Sequence, residues 1–150
     1  MSAGHEATVS AAGPLRLTAL HPAGYVRIEG RTTSSGVAVS GAQRLVFLAG
    51  QVASAPDGSL VGRDDLAAQL RQIYRNIEAL VRAAGADMRN VVSTRAYLVG
   101  HADVDQYKAT KAELSRRYWA DGPYPTNTML VVTRLAETGY LAEIEAVAVI

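Results

Sequence analysis

"YLAEIEAVAVI", residues 140–150, is apolar along nearly all of its length from Leu141 to Ile150, as in a strand with both faces covered. Glu143 and Glu145 interrupt the run. Side chains alternate across a strand, so the two acids point to the same face. A carboxylate in an apolar strand is costly unless something compensates it. The fold therefore has to give that face something to look at.

Upstream, "NTMLVVTRL" (127–135) reads as a second strand, joined to the first by the short link "AETG". "GPYP" (122–125) precedes it and stops a helix, because proline cannot continue one. That helix is "ADVDQYKATKAELSRRYW" (102–119), with Val104, Tyr107, Lys111, Leu114 and Tyr118 on its inner side and the aliphatic stem of Lys111 lying along the stripe. "NVVSTRAYLVG" (90–100) is a strand. "DDLAAQLRQIYRNIEALVRAAGA" (64–86) is the clearest helix: Leu66, Leu70, Ile73, Ile77, Leu80 and Ala84 recur at three- and four-residue spacing. Asp64 and Asp65 suit its positive end and Gly85 its stop.

Before it, "RLVFLAGQVA" (44–53) is a strand, and "SAPDGSLVG" (54–62) a hairpin turning at Asp57-Gly58 with Leu60 and Val61 returning. "SSGVAVSGAQ" (34–43) alternates at Val37 and Val39, and "GYVRIEG" (24–30) reads as a short strand. Residues 1–18, small and polar without period, read as a flexible tail before a domain spanning 19–150. Strands, helix, strand, helix and two strands make an α+β domain with two helices on one face of a single sheet. Two helices cover one face only. The face of Glu143 and Glu145 then needs other copies of the chain to cover its apolar surface.

Composition narrows the function classes. Hydrophobic residues make up 49% and charged residues 19%, ordinary for a globular chain of 150 residues. Fifteen basic against fourteen acidic residues leave +1, with no basic block, so the footprint of a nucleic-acid binder is missing. The absence of cysteine removes disulfides, thiol catalysis and thiolate metal sites. His5, His21 and His101 fit no metal-ligand spacing, and no metal site is expected. The serines of "TTSSG" and "VSG" have no histidine at a triad-like spacing, and "SSGVAVSG" is no phosphate loop because no helix follows it. No segment reads as a signal peptide or a membrane span, so a cytoplasmic domain without membrane contact is expected.

Three strings carry a resemblance. "RLVFLAGQVA" stands for "NLVFVSGQ", "AAGADMRNVVSTRAYL" (83–98) for "AAGxxxxDVVKTTVFL", and "PTNTMLVVTRLAETGYLAEIEAVAV" (125–149) for "PARSxVEVARLPxxxxVEIEAIAV". From about Gly36 to Val149 the chain resembles the RidA (YjgF) family. The resemblance implies a chorismate-mutase-like α+β fold with a mixed sheet. It implies a homotrimer whose sheets line a central β-barrel, with a cleft at each subunit interface. It further implies hydrolysis of reactive enamines and imines to ketones and ammonia, with no cofactor and a small-molecule substrate as the other partner.

On that alignment Glu143 matches the first glutamate of "VEIEA", which implies a carboxylate that positions or deprotonates the attacking water. The competing role is an ion pair with Arg95 or Arg134 that holds subunits together. Glu145 reads more simply as such a partner, and Arg134 as structural. Asn127 occupies the place of the arginine in "PARS", which clamps the substrate carboxylate in the family's imine deaminases. An amide cannot form the two-pronged ion pair of a guanidinium. The "TRxY" of the middle strand resembles a divergent subgroup lacking that arginine, with Arg95 bringing the positive charge and Tyr97 a phenolic hydrogen bond. The alternatives on the same fold are an isomerase or cyclase of a related enamine, or a non-catalytic trimer that binds metabolites or a protein.

Overall fold

Alternating and β-branched runs bounded by glycine and polar turns become strands, and the two stripes of 3.6-residue period become helices. The computed structural model describes residues 13–26, 30–100 and 102–150. Strands β1 (Arg16–Ala19), β2 (Val37–Ser40) and β3 (Leu45–Gln51) precede helix α1 (Leu66–Ala83). A 3₁₀ turn at Met88–Asn90 leads into β4 (Val91–Val99), followed by α2 (Val104–Tyr118), β5 (Thr126–Val132) and β6 (Ala142–Val149). The sheet order is β3-β6-β4-β5, with β6 antiparallel to both neighbours and β5 parallel to β4. This is the mixed sheet with two helices of an α+β fold.

Burial along β6 alternates. Ala142, Ile144, Ala146 and Ala148 are almost fully buried under the helix layer, while Glu143, Glu145 and Val147 are half-buried on the other side. In β4, Thr94, Ala96 and Leu98 are buried, and Arg95 and Tyr97 alternate with them. Small alanines let α1 approach the sheet closely, and Leu66, Leu70, Ile73, Ile77 and Val81 fill the space between. Tyr74, Tyr118 and Trp119 close the end of this core, their rings 5.9–6.2 Å apart.

Several details depart from the sequence reading. Arg16, Leu17 and Thr18, read as tail, belong to β1, which pairs antiparallel with β2 in a separate two-stranded sheet. Residues 1–12 of that tail, Arg27–Glu29 of the expected strand at 24–30, and His101 lie outside the described residues. Gly24, Tyr25, Val26 and Gly30 form no strand. The α1 stripe turns to Val81, leaving Leu80 42% exposed, because buried Tyr74 shifts the apolar arc by part of a turn. The hairpin at 54–62 is reduced to one bridge, Ser54 with Leu60, its turn fixed by Asp57 accepting from the backbone and hydroxyl of Ser59. Among the described residues no helix is long and apolar enough to cross a membrane.

Candidate functional site

The register of β6 on β4 sets Glu145 directly across from Arg95 and Glu143 across from Tyr97. The side chains do not follow both pairings. Arg95 donates to both carboxylate oxygens of Glu145 at 3.4 Å, and the Tyr97 hydroxyl donates to Glu145 as well. Donation to this anion holds the Tyr97 proton above the usual phenol range, and the phenol and carboxylate together raise the already high pKa of Arg95. Both partners of the ion pair are more than a third exposed in the single chain, so solvent screens it and it adds little to stability there. Glu145 is thus the acid that neutralises the arginine.

Glu143 is placed differently. Among the described residues it forms no ion pair with Arg95 or Arg134. Its carboxylate lies over Gly50 of β3: a methyl group built on Gly50 would stand 2.6 Å from its Cδ. β3 carries one extra residue between Leu48, paired with Ala146, and Gln51, paired with Ile144. This bulge re-aims the strand beside the carboxylate. Glu143 also lines a cavity of about 220 Å³ with Ser54, Leu135, Glu137 and Tyr140. The Ser54 and Tyr140 hydroxyls share a hydrogen bond at 2.9 Å on its wall.

A polar seam on α1 holds these walls in place. Gln69 is fully buried and donates to the carbonyls of Gly62 and Gly139 at 3.1 and 2.8 Å, while its carbonyl accepts from Leu141 N at 2.8 Å. Asn76 donates to the carbonyls of Val52 and Ser54, both at 3.0 Å. Gln72 binds Asn76 at 2.9 Å. Gln69, Gln72 and Asn76 recur at three- and four-residue spacing, one seam along the helix. They fix the segments on either side of Glu143. The sequence reading passed over them, although a glutamine one residue before a buried leucine is a visible signal.

Asn127 lies elsewhere. It pairs with Thr94 in the parallel register, so it shares the helix-covered face and not the face of Glu143. Its amide donates to Thr94 Oγ1 at 3.0 Å, and its carbonyl accepts from the Tyr107 hydroxyl at 3.4 Å. Burial pushes the Tyr107 phenol up to about 12, so it acts as a donor throughout the physiological range. The structure therefore brings Arg95, Tyr97 and Glu145 together, sets Glu143 beside them at β3, and puts Asn127 on the opposite side of the same sheet.

The comparisons with known proteins agree with this architecture. A family model described as Endoribonuclease L-PSP matches residues 30–150. The RutC family protein PH0854 of Pyrococcus horikoshii is 31% identical over 107 residues, which is 71% of this chain and 80% of that protein. The 2-iminobutanoate/2-iminopropanoate deaminase of Homo sapiens is 29% identical over 106 residues, 71% of this chain and 73% of that protein. The crystal structure of the conserved Rid family protein YyfB from Yersinia pestis superposes with a TM-score of 0.79 at 30% identity, covering 89% of this chain and 98% of that one.

Proposed function

Because the chain belongs to the endoribonuclease L-PSP family, the RidA/YjgF group, we propose that it is a cofactor-free hydrolase of a reactive imine or enamine, working as a homotrimer. Glu143 is the base in this reading. It takes a proton from water as the water oxygen bonds to the imine carbon, and the C=N π pair moves to a protonated nitrogen. The protonated Glu143 returns that proton to the carbinolamine nitrogen, and the C–N bond breaks with its pair leaving on ammonia. The O–H pair becomes the C=O π bond as ammonia takes the hydroxyl proton, and a ketone and ammonium remain with Glu143 again ionised. A protonated imine is already electrophilic, so positioning it beside that water supplies much of the acceleration.

The observation that carries this reading is the division of labour between the two acids. Glu145 is occupied by Arg95 and Tyr97, whereas Glu143 stands over Gly50 in the lining of a cavity, without a cationic partner among the described residues. Leu45 and Phe47, 61% and 74% exposed, lie with Leu130 and Val147 on the same uncovered face, a surface suited to burial against further copies. Burial there would desolvate and tighten the Arg95–Glu145 pair, leaving the guanidinium N–H groups that Glu145 does not use to contact substrate. Asn127 would reach a given Glu143 only from a neighbouring subunit. With fifteen basic and fourteen acidic residues, the chain lacks the charge excess that binding an RNA backbone draws on.

Imines of small amino acids generated in situ by an amino-acid oxidase test the reading. Because Asn127 cannot replace a carboxylate-clamping guanidinium, ammonia release from these imino acids is expected to rise only weakly above the spontaneous rate. Release from an imine without the carboxylate, made by an amine oxidase, is expected to rise clearly. A ligand-dependent rise in melting temperature with no added ammonia release would make it a binding protein instead.

A further inference from the structure

Lys111 is out of place for a residue on the inner stripe of α2. Only 7% of it is exposed, so the ammonium is buried along with the stem. Its Nζ donates to the carbonyl of Thr32 at 2.9 Å, and among the described residues no carboxylate pairs with it. An ammonium has three N–H donors, and one backbone carbonyl leaves most of its charge uncompensated. The segment that supplies Thr32 is anchored at the start of β5. Thr33 Oγ1 donates to the Pro125 carbonyl at 3.0 Å, and Ser34 bridges to Thr126.

The same segment lines a cavity of about 720 Å³, within the size range of small-molecule sites. Arg31, Thr33, Ser34, Ser35, Tyr25 and Tyr124 contribute one guanidinium, three aliphatic hydroxyls and two phenols to it. Among the described residues no aspartate or glutamate lines it. Arg31 is exposed and makes no ion pair among the described residues. Burial first, and the Arg31 charge second, bring the Lys111 ammonium down to about 8. The two cations are thus close enough to repel each other, and among the described residues no acid pairs with either. The cavity shares no lining residue with the one beside Glu143.

We infer that this cavity is a second, anion-binding site that takes a small organic carboxylate. Arg31 grips the carboxylate from the wall, the hydroxyls complete its hydrogen bonds, and Lys111 adds positive potential from behind. The tyrosine and proline walls take the carbon body. A single guanidinium matches the flat two-oxygen edge of a carboxylate, and the partly apolar walls suit an organic acid.

Titration calorimetry of the full chain with benzoate, and with benzamide as its neutral isostere, tests the site. Saturable benzoate binding at one per chain is expected, with benzamide at least about tenfold weaker, because the charge-assisted pair is lost. Arg31→Gln, a change at an exposed position, should weaken benzoate by about tenfold or more, and Lys111→Met by a smaller factor. Glu143→Gln should bind benzoate like the wild type. The inference is overturned if the wild type shows no saturable benzoate binding, if Arg31→Gln binds it equally, if benzamide binds as well as benzoate, or if Glu143→Gln abolishes it.

Discussion

The two faces of β6 are built from the same eight residues and are held to different rules. On the covered face Ala142, Ile144, Ala146 and Ala148 leave no room and no polar atom, and α1 packs against them. On the open face Glu143 and Glu145 stand two residues apart and behave differently, one over a glycine, the other tied to an arginine and a tyrosine. A one-residue slip would exchange the faces and bury both acids, so the covered face fixes the register with a large penalty. That constraint frees the open face to carry charge. Charged side chains can sit there because packing has already been settled on the other side.

The first way to break this comparison is to put a charge on the open face. Phe47→Asp should leave the single chain folded, since Phe47 is 74% exposed. Assembly should nevertheless fall to single chains, with turnover at background. Size exclusion with light scattering checks the mass, and a wild type already running as a monomer would remove the assembly.

On the covered face, Ile144→Ala should cost about 2–5 kcal/mol in denaturant unfolding, the usual range for emptying a packed core position. Lys111 sharpens the comparison further, as a charge on the wrong side. Its folded pKa near 8 lies below the unfolded value of about 10.4, so the unfolded chain binds more protons between them. Stability should therefore rise with pH from about 8 toward 10. Above that, Tyr107, raised to about 12 by burial, keeps a proton that the unfolded chain releases, and stability should fall. Lys111→Met should flatten the rise and add up to about 3 kcal/mol at pH 7. A wild-type profile flat from pH 8 to 10 contradicts this. The smallest effect belongs to Glu145→Gln, which should leave denaturant unfolding of the single chain almost unchanged, because its pair with Arg95 is exposed there.

What the sequence revealed depended on how local the signal was. The alternation of β6 and the stripe of α1 are carried by neighbouring residues, and both are legible without the fold. β1 is only four residues long with a weak alternation, and it exists through its pairing with β2. The face of Asn127 depends on the parallel register of β5 on β4, which no string within β5 encodes. Likewise, the bulge beside Gly50 appears only when β3 is laid against β6. Lys111 was legible as a stripe position, but the Thr32 carbonyl that receives its ammonium lies 79 residues away.

Glu143→Gln separates the roles left open for that residue when turnover and oligomer mass are measured on the same preparation. The substitution keeps the shape and removes the proton-accepting charge. If Glu143 is the base, turnover should drop by a factor of about 10²–10⁴ while the mass stays that of the wild type. A mutant with wild-type turnover, or one that loses activity only because the assembly falls apart, would contradict the assignment.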